Sequence, residues 1–127
     1  MVLFTLTIRN LVIFMKEKIK SYIRAHRDEI VKNVKDLVAI PSVKGVPTHD
    51  AHFGENCLKA IKYVEKLYVA EGYDTKLEEN KRFVTGVTKG DDKLIGIFGH
   101  ADVVPVTEGD WIYTKPFEPI EKDGFII

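Results

Sequence analysis

The chain holds a single cysteine, Cys57, in 127 residues, so it cannot close an internal disulfide. Nothing in its thiol content therefore points to an oxidising compartment. Cys57 falls within a helical pattern, where a buried or half-buried thiol is the ordinary reading and a nucleophile the exceptional one. An excess of charge of one sign is also missing: 19 Lys and Arg match 19 Asp and Glu. Nucleic-acid binders usually carry a basic excess or a basic stripe, and neither is present. The charges are interspersed, as in Lys16-Glu17-Lys18 and Glu78-Glu79-Asn80-Lys81-Arg82, which is the pattern of solvated faces. No apolar run reaches the roughly 20 residues needed to span a bilayer. Internal repeats and low-complexity segments are absent as well. What is present is 45% apolar content, enough for the core of about one domain.

The first 14 residues, MVLFTLTIRNLVIF, are apolar but interrupted by Arg9-Asn10. They lack the basic n-region and the small-residue cleavage site of a signal peptide. Met15 then opens an amphipathic pattern, MKEKIKSYIRAHRDEIVKNVKDLV. The expectation is that Met15 is the biological start, that residues 1–14 are an apolar leader from an upstream start codon, and that the domain occupies residues 15–127. A short membrane-surface or partner-binding segment is the open alternative.

From residue 16 to 38, Ile19, Ile23, Ile30, Val34 and Leu37 recur with the 3.6-residue period of a helix with one buried face. Pro41 disfavours helical geometry at Ile40 and should end this helix. His26 lies inside it, where a surface position is the default. Residues 42–54, with Gly45, Pro47 and Gly54, read as a loop. A second helix is expected over residues 55–71, with Leu58, Ile61, Val64 and Leu67/Tyr68 on one face and Gly72 as its stop. Three strand-like runs follow, over residues 73–77, 83–88 and 93–98, with Gly90-Asp91-Asp92 as a turn between the last two. The run KLIGIF is almost wholly apolar, as a central strand covered on both faces would be. The fold class is therefore α/β, two helices followed by a mixed sheet.

Directly after that run comes Gly99-His100-Ala101-Asp102-Val103-Val104-Pro105. In open α/β sheets ligands collect outside the carboxyl ends of strands. If the backbone stays extended, His100 and Asp102 project to the same side. A neutral imidazole is a good zinc ligand, and a nearby carboxylate can fix its orientation and raise its basicity. Spacing alone leaves open that this is an ordinary histidine and aspartate at a strand end. His49 and His52, at i and i+3, pose a similar question, but no carboxylate or cysteine pattern supports a site there.

The stretch GIFGHADVVP, then GDW, then PFEPIEKDG, resembles the zinc-dependent metallopeptidase family of aminoacylases, carboxypeptidases and bacterial dipeptidases. The order of pieces agrees: helix, Ile40-Pro41-Ser42-Val43, second helix, strands, then the His-x-Asp segment. The Phe53-Gly54 entry to the second helix is most similar to the dipeptidase V and Xaa-His dipeptidase branch. The resemblance covers residues 16–127 and implies the N-terminal part of a zinc-peptidase catalytic domain, incomplete. It implies that His100 is a metal ligand and that Asp102 is the catalytic carboxylate beside it. Two zinc ions per complete enzyme, a dipeptide or acyl-amino-acid substrate and a cytoplasmic setting are implied in the same way. Trp111 and Phe117 have no chemical role in this reading beyond loop packing.

Family members continue past Lys122-Asp123-Gly124 into a Gly-Arg-Gly element and an Asp-Asp-Lys-Gly segment that supplies a bridging aspartate. This sequence ends at Phe125-Ile126-Ile127. The expectation is therefore an N-terminal fragment, without appreciable peptidase activity alone, whose unpaired run 94–98 favours self-association. Two other functions stay open: a stand-alone non-catalytic α/β module, and a peripheral membrane or partner-binding protein that uses residues 1–14.

Overall fold

The computed structural model describes residues 2–78, 80–90 and 94–127, with residues 2–9 described by their backbone alone. The chain is α/β: among the described residues there are three α-helices and two small antiparallel sheets. It divides into two compact units, one running through Val34 and the other comprising Lys35–Ile127.

In the first unit, α1 (Val2–Ala25) begins well before the expected opening at Met15. The single helix expected over residues 16–38 is two, because α2 (Arg27–Val38) starts after a turn at His26. The charges suit such a break. Arg24 lies in the last turn of α1, and Asp28 and Glu29 lie in the first turn of α2, each matched to the helix dipole it meets. The His26 ring stacks on Tyr22 with centroids 4.0 Å apart, and its Nδ1 lies 2.9 Å from the Tyr22 carbonyl oxygen. The periodicity of Ile19, Ile23, Ile30 and Val34 is helical as expected, but these side chains are exposed, not buried. Period reports the face a helix offers; burial also needs a surface for that face to meet.

In Lys35–Ile127, the core is Ala51, Cys57, Leu58 and Ala60 with one polar member, Ser42. Helix α3 (Glu55–Ala70) lies against a hairpin of β1 (Asp74–Glu78) and β2 (Phe83–Val87). Its N-cap, Gly54, has φ 93, and a Cβ there would stand 2.7 Å from Gly45 Cα. Only glycine permits both the conformation and that approach. At the other end, the Gly72 N–H donates to Val69 O and the Tyr73 N–H to Tyr68 O. This is a Schellman motif, and the accompanying contact is Tyr68 against Tyr73, ring centroids 5.3 Å apart. The Tyr68 ring lies on Gly86 of β2, where any Cβ would come within 2.6 Å of it.

A second hairpin, β3 (Glu121–Lys122) with β4 (Phe125–Ile126), turns through Asp123 and Gly124, φ 52 and 81. Asp-Gly with two positive φ angles suits a tight two-residue hairpin. The expected mixed sheet takes the form of these two separate pairs and an isolated parallel bridge between Val43 and Val103.

The run 94–98 is not a strand among the described residues, and Ile97 and Phe98 are 93% and 96% exposed. A strand exists only through its partners, since its N–H and C=O groups need a ladder. The expected turn at Gly90-Asp91-Asp92 falls largely outside the described residues.

Candidate functional site

Ser42 is the point at which the loop after α2 meets the segment that carries His100 and Asp102. It is 2% exposed. Its hydroxyl donates to the Ala101 carbonyl at 2.7 Å, and its own carbonyl accepts the Val103 N–H at 3.2 Å. The Cys57 thiol donates to the same carbonyl at 3.2 Å. These bonds grip the backbone on both sides of Asp102. Ser42 belonged to the Ile-Pro-Ser-Val string in the sequence, but nothing in its spacing gave it a role. Its long-range partners exist only in the fold.

His100 is not at the end of a paired strand, contrary to expectation, because residues 94–98 make no ladder. It stands in chain without regular secondary structure, 83% exposed by side chain, with Asp102 at 66%. His100 Nδ1 lies 2.9 Å from the Asp102 carbonyl oxygen and 3.4 Å from Asp102 Oδ1. Both neighbours are acceptors, so Nδ1 is the nitrogen that carries the proton in the neutral ring. The lone pair then sits on Nε2. A histidine whose second nitrogen is held by a carbonyl or carboxylate is the usual state of a metal-ligating imidazole.

An apolar groove of about 410 Å³ runs beside this pair. Leu37, Ile40, Val104, Trp111 and Phe117 line it, with His100 and Asp102 also contributing to its wall. Trp111 and Phe117, expected only to pack loops, thus shape the space next to the pair. Phe117 adopts φ 63, held in the turn closed by the Thr114 hydroxyl on the Glu118 carbonyl.

Burial pushes the Cys57 thiol above its ordinary pKa, and the Asp102 carboxylate adds to the shift. Such a thiol is a poor nucleophile at neutral pH. His49 is fully exposed beside Asp50 at 3.7 Å, and His52 lies in the turn that follows. Lys81 donates to Asp50 at 2.9 Å and holds its carboxyl below the usual range.

Among the described residues, no group of three His, Cys, Asp or Glu side chains is placed to hold a metal ion. His100 and Asp102 have the right donor chemistry for one corner of such a site. They do not amount to the three protein ligands that a catalytic zinc centre uses. No catalytic step through a metal follows from the residues described.

No protein-family profile matches the chain. It is 33% identical over 114 residues to proteins of Staphylococcus aureus strains USA300, COL and MW2 that bear the provisional name of dipeptidase. The stretch covers 88% of this chain. Over that stretch the chain is similar to a dipeptidase. It spans 23% of the length of these relatives. Among the described residues, no helix is long and apolar enough to cross a membrane.

Proposed function

We propose that the chain is the N-terminal portion of a cytoplasmic zinc-dependent dipeptidase, inactive by itself. The observation that carries the reading is the His100–Asp102 pair, with Nδ1 turned to two acceptor oxygens and Nε2 left free to ligate. The similarity of 88% of the chain to proteins named as dipeptidases supports it. In the complete enzyme His100 would hold one of two zinc ions, and Asp102 would orient the imidazole. Bound zinc would supply an activated water and polarise the peptide carbonyl of a dipeptide or acyl-amino acid. This chain's own contribution is positional: Ser42 holds the backbone around Asp102, and Trp111 and Phe117 give the pair an apolar wall on one side.

The test is to sequence past the codon for Ile127 and translate all three forward frames. A Gly-Arg-Gly element followed by Asp-Asp-Lys-Gly is expected in one of them, and its absence from all three would overturn the reading. Purified chain with added zinc is expected to leave dipeptides intact. Turnover at rates typical of enzymes, about 1 s⁻¹ or more, would show that the chain is active alone.

A further inference from the structure

His100 and Asp102 are both exposed, and two exposed side chains do not ordinarily hold one another in a fixed arrangement. Here the fixed part is the backbone between them. The 2.9 Å approach of Nδ1 is to the Asp102 carbonyl oxygen, while the carboxylate stands at 3.4 Å. A carbonyl points where its peptide plane points. The Asp102 C=O shares a plane with the Val103 N–H, and in a trans peptide the two face opposite ways. No peptide bond among the described residues is cis. The Val103 N–H is bound to the Ser42 carbonyl at 3.2 Å, so the Asp102 carbonyl is turned away from Ser42 and toward the His100 ring. The preceding plane, which joins the Ala101 C=O to the Asp102 N–H, is held by the Ser42 hydroxyl at 2.7 Å. One residue thus orients both peptide planes that flank the Asp102 α-carbon. Ser42 can do this because it is itself fixed: it is buried, and its carbonyl takes a second donor, the buried thiol of Cys57 on α3, at 3.2 Å.

We propose that Ser42 is a positioning residue that sets the tautomer of His100: by aiming the Asp102 carbonyl at Nδ1 it keeps the proton there and leaves Nε2 bare. A free imidazole in water prefers its proton on Nε2, the form in which that nitrogen is a donor and has no lone pair to offer a metal. An exposed ring with no buried group to turn the carbonyl would fall back toward that ordinary mixture. The chain of contacts therefore carries order outward from the core, from Cys57 to Ser42, then to the Asp102–Val103 peptide, then to the imidazole. A hydrogen bond from Nδ1 to a carbonyl fixes the orientation of the ring as well as its proton, as in metal-ligating histidines. The use of this tautomer for ligation rests on the hydrolytic reading above, whereas the tautomer itself does not.

The experiment is a long-range nitrogen–proton correlation spectrum of the imidazole rings in the labelled, metal-free full chain at pH about 9, above the ordinary imidazole range. Such spectra tell a protonated ring nitrogen from a bare one, and His100→Gln identifies the signals of His100. The parent is expected to carry the His100 proton on Nδ1. Ser42→Ala should lower the ratio of the Nδ1–H form to the Nε2–H form about threefold to tenfold, as the loss of one ordinary hydrogen bond would. His26, whose Nδ1 meets the Tyr22 carbonyl within its own helical segment, is the internal control and should not respond. Amide spectra of α3 show whether each variant is folded. Ser42→Cys, close in volume and a weaker donor, should give a smaller fall and replaces alanine if that variant does not fold. A parent ring protonated on Nε2, or a folded variant that keeps the parent's ratio, would overturn the proposal. Because the readout is made without metal, its failure is distinct from that of the hydrolytic reading, which the sequence beyond Ile127 tests.

Discussion

The Ser42 hydroxyl donates to the Ala101 carbonyl at 2.7 Å across 59 positions of sequence, the bond that ties the loop after α2 to the His100–Asp102 segment. Because Ser42 is buried, replacing it by alanine leaves the Ala101 carbonyl short of its partner in a place water reaches poorly. Ser42→Ala is expected to destabilise Lys35–Ile127 by about 1–3 kcal/mol, measured by urea unfolding. Hydrogen exchange at the Val103 amide, which donates to Ser42, should accelerate more than exchange within α3. Unchanged stability and unchanged Val103 protection would show that the latch is ornamental.

Two glycines with positive φ separate the effects of conformation and crowding. At Gly72, φ 78, a Cβ would meet nothing within 4 Å, so Gly72→Ala should cost only the left-handed penalty, about 1–2 kcal/mol. Gly54 has φ 93 and the Gly45 backbone 2.7 Å from the position of a Cβ. Gly54→Ala should therefore cost clearly more and displace the start of α3. Thermal unfolding of the two variants side by side decides it, and equal costs would refute the close approach.

How much of this was legible from the residues depends on the range of the interaction. Local signals translated well: Gly72 ends α3 as its conformational freedom requires, and the β-branched run 83–88 gives β2. The Asp123-Gly124 hairpin had a signal too, the Asp-Gly dipeptide between Lys122 and Phe125, which passed as part of a family motif instead of a turn. Burial did not translate. The apolar period of Ile19, Ile23 and Ile30 is real, yet those side chains are exposed. KLIGIF has the composition of a covered strand, and composition cannot supply the neighbouring strands. The nearness of His100 to Asp102 is a matter of two positions in sequence, but Ser42, which grips the backbone on both sides of Asp102, is joined to it only by the fold.

The Cys57 thiol gives a pH-dependent prediction with a definite sign. Its pKa is raised in the folded state, first by burial and then by the Asp102 carboxylate. The folded state therefore holds the proton more tightly than the unfolded chain. The corresponding stability is fully present below the ordinary thiol range and is lost as pH rises through and beyond it. Alkylation of the native protein by iodoacetamide should accordingly rise with pH later than for an exposed thiol. Asp102→Asn should move that rise to lower pH without restoring the ordinary value, because burial is the larger cause. A native profile matching that of the unfolded chain would contradict the burial.

The exposed run 94–98 leads to the last prediction. Leu94, Ile95, Ile97 and Phe98 are all exposed, in a segment that makes no ladder among the described residues. Such a run offers unpaired N–H and C=O groups flanked by apolar side chains, a template for a strand from another copy. Concentration-dependent self-association is expected in size-exclusion chromatography with light scattering. A charge in the run opposes this pairing at little cost to folding, so Ile97→Lys should shift the chain toward monomer. Because Ile97 touches little, its stability should change by no more than about 0.5 kcal/mol. If Ile97→Lys associates as the parent does, while Leu11→Glu/Ile19→Glu becomes monomeric, the sticky surface is the face of α1. A parent that stays monomeric at every concentration would mean that the run is exposed without being available for pairing.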